Sequence, residues 1–142
     1  MRTITHDELQ AILDQHKAWL ADKSKGKRAD LSNTDLSGMN LAGANLTGAD
    51  ATWANLTGAN LVGVNLLNAD LSHAHLMFAD LTWANLTSAN LIGADLTFAD
   101  LTGANLTSAD LMFADLTWAN LTSANLTSAN LTEANIEGSY YI

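Results

Sequence analysis

The chain has 142 residues, a formal net charge of −9 and neither cysteine nor proline. Disulfides, thiolate chemistry and cysteine-based metal sites are therefore excluded, and no run approaches the ~18 consecutive apolar residues of a membrane span. The first residues lack the apolar stretch of a secretory signal, so a soluble, cytoplasmic protein is expected.

The charge is divided along the chain. All six basic residues precede residue 29 and share residues 1–28 with four acids, giving that segment +2. The remainder holds nine Asp, two Glu and no Lys or Arg, giving −11. Such a body repels nucleic acid and anionic membranes and attracts basic protein surfaces, so neither direct nucleic-acid binding nor membrane association is expected.

Residues 5 to about 21 read as an amphipathic helix. Thr5 and Glu8 have the spacing of a capping box, and Leu9, Ile12, Leu13, His16 and Leu20 recur at helical spacing with Trp19 beside them. The basic stretch Lys23-Ser24-Lys25-Gly26-Lys27-Arg28 follows as a linker, making 1–28 a first unit. A free basic helix that binds peptides or a membrane surface is the alternative to a packed one.

Residues 29–138 are 22 consecutive pentapeptides, from Ala29-Asp30-Leu31-Ser32-Asn33 to Ala134-Asn135-Ile136-Glu137-Gly138. A period of five suits no ordinary element. On an α-helix the leucines spread around the cylinder, and on a straight strand they alternate between faces. The conflict vanishes if the chain turns once per repeat. Ala and Leu then point inward together, while the Asn/Asp, Thr and Gly/Ser positions face water or form the corner, which these residue types favour. Ala51 in place of a central Leu leaves a hole that Met39 and Val64 are expected to fill partly.

This A-[DN]-L-x-x pattern, in tandem over 29–138, resembles the pentapeptide-repeat proteins. The resemblance implies an all-β solenoid, a right-handed quadrilateral β-helix of four pentapeptides per coil. Twenty residues per coil make about 5.5 coils and a rod of roughly 26 Å at the strand spacing. Solenoid ends need cover, so the helix is expected to cap the first coil. Ser139-Tyr140-Tyr141-Ile142 is expected either to plug the last coil or to mediate homodimerisation through Tyr140, Tyr141 and Ile142.

Twenty-residue coils stack the side chains into unequal ladders. One is neutral: Asn45, Asn65, Asn85, Asn105 and Asn125, accompanied by Thr and Ser. Acids and aromatics gather on two adjacent faces, where Phe78, Phe98 and Trp118 fall on consecutive coils. Together with Met77, Met112 and Phe113 they form a candidate protein-binding surface, since exposed aromatic and Met surface rimmed by polar residues marks interfaces. The bland reading is intramolecular stacking that protects the corners.

Chemistry is sparse. Most carboxylates occupy a position where Asn is interchangeable, no Ser has a His/Asp constellation, and no phosphate-binding glycine loop exists. His73, His75 and Asp70 offer at best a weak surface metal site. The expectation is thus a non-enzymatic structural or protein-interaction module, without cofactor or metal, that presents its acidic and aromatic faces to a protein partner. The resemblance offers an alternative, a DNA-mimic inhibitor of a type II topoisomerase (gyrase), although the rod would match only ~8 base pairs. Threonine ladders such as Thr87-Thr107-Thr127 raise ice binding as a third reading.

Overall fold

A single repeat shows how the chain closes on itself. In the computed structural model, which describes residues 1–141, Ala94 and Leu96 of Ala94-Asp95-Leu96-Thr97-Phe98 are buried and Asp95 bridges in parallel to His75 and Asp115. The Asp95 amide donates back one coil to the Ala74 carbonyl (2.9 Å), and the amides of Leu96 and Phe98 donate forward to the carbonyls of Asp115 (2.7 Å) and Thr117 (3.0 Å). The Ala94 amide closes the preceding turn onto the Leu91 carbonyl at 3.0 Å. That leaves the Thr97 amide, which donates to Asp95 Oδ1 at 3.0 Å. All five amides are satisfied, as a buried backbone requires.

The side-chain oxygen that completes this set explains why Asn and Asp interchange: both present Oδ1. In 21 of the 22 pentapeptides it accepts from the amide two residues on. The exception is Met77, because His75 stands at the Asn/Asp position. Where the residue two on is Thr, its hydroxyl usually donates to the same oxygen, as Thr107 does to Asn105 at 2.6 Å. Asparagines also link coils: Asn55 and Asn130 donate Nδ2 to Asp35 (3.1 Å) and Asp110 (3.0 Å).

Parallel bridges recur every twenty residues, from Asp30↔Asp50 to Asn120↔Tyr140. Inside them the Leu and Ala side chains form one continuous core from Ala29 to Leu121, including Ala51 and Val64.

The N-terminal segment is built onto this stack. Strand β1 (Arg2–Thr3) pairs in parallel with β2 (Thr34–Asp35), in the register Arg2↔Thr34 and Thr3↔Asp35. Thr34, which replaces the usual Ala, is fully buried; its hydroxyl accepts from Arg2 Nε (3.2 Å) and Nη2 (2.9 Å) and donates to the Ser32 carbonyl (3.1 Å). Helix α1 (His6–Ala21) opens with the capping box of Thr5 and Glu8. It buries Leu9 and packs Ile12 and Leu13 partly against the core. Among the described residues no helix is long and apolar enough to cross a membrane.

His16 is fully buried where α1 meets the first coil. Its Nδ1 accepts from the Ala29 amide at 2.9 Å, so the proton sits on Nε2, which has no hydrogen-bond partner among the described residues. Burial lowers its pKa from the ordinary 6.5; the Thr47 backbone opposes this and the cations Lys23 and Arg28 reinforce it. A lowered folded-state pKa favours the neutral form, so the contribution of this contact is intact above pH 6.5 and is lost as pH falls below it. Hydrogen exchange checks this: protection of the Ala29 amide and of α1 should drop between pH 7.5 and pH 5, on the order of tenfold per unit once imidazole protonation is linked to opening. A His16→Gln variant should lose that pH dependence.

Candidate protein-interaction surface

The fifth residue of each pentapeptide forms the corner, and there the backbone enters the left-handed region with φ between 50° and 67°. Only that residue of the turn has positive φ, as a type II turn requires. Glycine adopts this conformation freely, as at Gly43 (φ 67°), whereas a side chain there costs about 1–2 kcal/mol. Six aromatics nevertheless occupy corners and stay about half exposed or more: Trp53, Phe78, Trp83, Phe98, Phe113 and Trp118.

Several corner rings lean toward the same corner one coil on. Trp53 stacks on His73 with centroids 4.4 Å apart, and Phe78 on Phe98 at 5.1 Å with planes within 1°. At three corners a glycine receives the last ring. A Cβ at Gly93, Gly103 or Gly138 would fall 2.6 Å from His73, 2.4 Å from Trp83 or 2.5 Å from Trp118. The three-membered ladder expected from the sequence is thus a Phe78–Phe98 stack, with Trp118 lying over Gly138.

The corners bracket one side of the prism. In the coil Phe113-Ala114-Asp115-Leu116-Thr117-Trp118 an aromatic stands at either end of the segment that carries Asp115. Below it come Asp95 with Phe98, and His75 between His73 and Phe78. Met77 and Met112 are half-buried beside Phe78 and Phe113. The geometry therefore gathers Met77, Phe78, Phe98, Met112, Phe113 and Trp118 along two neighbouring corners of one acidic side. Trp53 and His73 extend that rim, and their spacing of twenty residues is the signal that places them on one corner.

At the C-terminal end Tyr140 bridges to Asn120, and Tyr140 and Tyr141 are 51% and 55% exposed. Leu131 and Ile136, at inward positions of the same coil, are 37% and 43% exposed. Ile142 lies outside the described residues. Among the described residues no cluster of three His, Asp or Glu has the geometry to hold a metal ion.

The pentapeptide-repeat family profile (Pentapeptide repeats) matches eight copies, in segments 27–61, 52–87, 79–112 and 109–140. The chain belongs to that family. It is similar to the pentapeptide repeat protein Rfr23 of the cyanobacterium Cyanothece 51142, at 34% identity and TM-score 0.75 over 76% of this chain and 87% of that one. A pentapeptide repeat protein of the Arabidopsis thaliana thylakoid lumen matches at 34% identity and TM-score 0.65, over 67% of this chain and 66% of that one. QnrB1, a plasmid-mediated fluoroquinolone resistance protein, matches at 18% identity and TM-score 0.44 over 75% of this chain and 63% of that one. No curated protein matches the chain. With these relatives the fold is a right-handed β-helical solenoid.

The ring-over-glycine arrangement can be tested by a matched pair. Gly103→Ala and Gly63→Ala both place a methyl at positive φ, but only the first meets a ring, Trp83, whereas Gly63 has open space. Both should lose about 1 kcal/mol of stability. Only Gly103→Ala should lose more and shift the tryptophan fluorescence. Equal losses with unchanged fluorescence would show that Trp83 does not rest on Gly103.

Proposed function

We propose that the chain is a non-enzymatic interaction module, a rigid prism of about 5.5 coils closed at its N-terminal end by α1, that binds a protein partner through the acidic side rimmed by aromatic corners. One observation carries this reading: five aromatics, Trp53, Phe78, Phe98, Phe113 and Trp118, sit at strained corner positions bounding that side, where glycine serves equally well in the repeat, and each remains at least 49% exposed. Stacking returns roughly 0.5–1.5 kcal/mol per pair, but it involves only some of them; Phe113 is followed one coil on by Glu133 and pairs with no ring. The remaining strain and exposed apolar area are what a binding surface requires. Carboxylates between the corners favour a partner with basic residues beside an apolar patch.

The DNA-mimic alternative draws on the family resemblance and the acidity of the body, and it leaves the aromatic corners without a role.

The decisive variant is Phe98→Gly with Trp118→Gly, which installs the residue the repeat itself uses at Gly93 and Gly103 and so retains the fold. Immobilised chain should capture a partner from native lysate, and this double variant should lose it with its circular dichroism unchanged. The neutral-side double variant Thr87→Ala with Thr107→Ala should retain it. Capture that survives the loss of both rings would overturn the proposed surface.

A further inference from the structure

The basic segment, unused by the interaction surface, builds a cleft of its own. Between α1 and the first coil lies a cleft of about 420 Å³ that brings Arg2, Lys27 and Arg28 together with one carboxylate, Asp30, and the apolar Ala11 and Ile12. Elsewhere the body carries only acids, so a dissolved anion finds a favourable potential at this end alone.

The fold fixes both guanidinium groups and the backbone of Lys27. Arg2 is fixed by β1, donating Nε and Nη2 to Thr34 and Nη2 to the Asp30 carbonyl at 2.8 Å. Arg28 donates Nε to the Gly48 carbonyl. Lys27 follows a tight turn: its amide donates to the Gln15 carbonyl at 3.1 Å, and Gly26 has φ 61° with no room for a Cβ, which would fall 2.2 Å from that same oxygen. Asp30 commits Oδ1 to the amide (3.0 Å) and hydroxyl (2.6 Å) of Ser32. Among the described residues this leaves Arg2 Nη1, both terminal nitrogens of Arg28 and Lys27 Nζ without an acceptor.

We infer that this cleft binds a doubly charged oxyanion carried on an apolar group, that is, a phosphate monoester. Guanidinium forks match the paired oxygens of a phosphoryl group, and the lysine adds a point charge for the second negative charge. Ala11 and Ile12 supply the apolar wall for the organic part. A free aryl phosphate and a phosphotyrosyl side chain present the same chemistry.

The full chain is titrated at fixed ionic strength with phenyl phosphate, inorganic phosphate and a phosphotyrosyl peptide, following backbone amide shifts. Saturable shifts should be confined to Ala11, Ile12, Gln15 and residues 27–30, and phenyl phosphate should bind more tightly than inorganic phosphate. Arg28→Gln and Lys27→Gln should each weaken binding about tenfold, the loss of one charge-assisted contact. Asp30→Asn, which keeps the oxygen for Ser32, should tighten it. Lys25→Gln removes the same charge outside the cleft and should change nothing. If the peptide binds more tightly than phenyl phosphate, the phosphate is borne by a protein; if equally, by a small molecule. An absence of saturation, an equal loss in Lys25→Gln, or phenyl phosphate binding no better than inorganic phosphate overturns the proposal. Should Arg28→Gln fail to fold, Lys27→Gln carries the comparison.

Discussion

The bond from an Asn or Asp side-chain oxygen to the amide two residues on is the interaction on which this fold depends. In each pentapeptide of the inner coils two amides donate to the next coil, one to the previous coil and one across the turn, so four of five are satisfied by backbone alone. The fifth lies where the chain leaves the straight segment and faces no carbonyl, and a short side chain with an acceptor is the local remedy. Oδ1 occupies that place with small, regular distances, as at Asp95–Thr97 (3.0 Å) and Asn85–Thr87 (3.1 Å). A carboxylate in this role spends an oxygen on a donor, which eases the stacking of like charges such as Asp95 above Asp115.

The rest follows from that closure. Because the segment between corners is only three residues long, Ala and Leu point inward from coil to coil, and the core keeps nearly the same composition, with Thr34, Ala51 and Val64 among the departures. Freedom remains at the corners and at the residue before them. The corner conformation suits glycine best, so each larger residue there carries strain. Glycines then matter a second time, as at Gly103 beneath Trp83, where the missing Cβ makes room for a ring from the coil before. What distinguishes one side of the prism from another is therefore decided by very few positions per coil, and these carry the proposed interaction surface.

Much of this was legible in the sequence because it is periodic. The inward Ala and Leu, the turn per repeat, the capping box of Thr5 with Glu8 and the neutral Asn ladder at Asn45, Asn65 and Asn85 all follow from spacing and residue type. The pairing of Arg2–Thr3 with Thr34–Asp35 was not legible. Two residues carry no strand signal of their own, and the contact is specified by a buried Thr34 hydroxyl thirty-two residues away from Arg2. The cationic cleft was hidden for a related reason: the basic stretch reads as a solvated linker, and only the folding of Gly26 and Lys27 back against Gln15 turns it into a wall. Ring positions were visible, yet the Trp53–His73 stack required knowing which way a corner side chain leans.

His75 provides the most direct test of the central bond, since it removes the acceptor and leaves the Met77 amide without one among the described residues. His75→Asn restores Oδ1 and should stabilise the chain in thermal or denaturant unfolding by about 1 kcal/mol, with slower exchange of the Met77 amide. His75→Ala, which restores nothing, should show neither effect. If His75→Asn is no more stable than His75→Ala and Met77 exchanges at the same rate in both, the side-chain oxygen is not what completes the repeat.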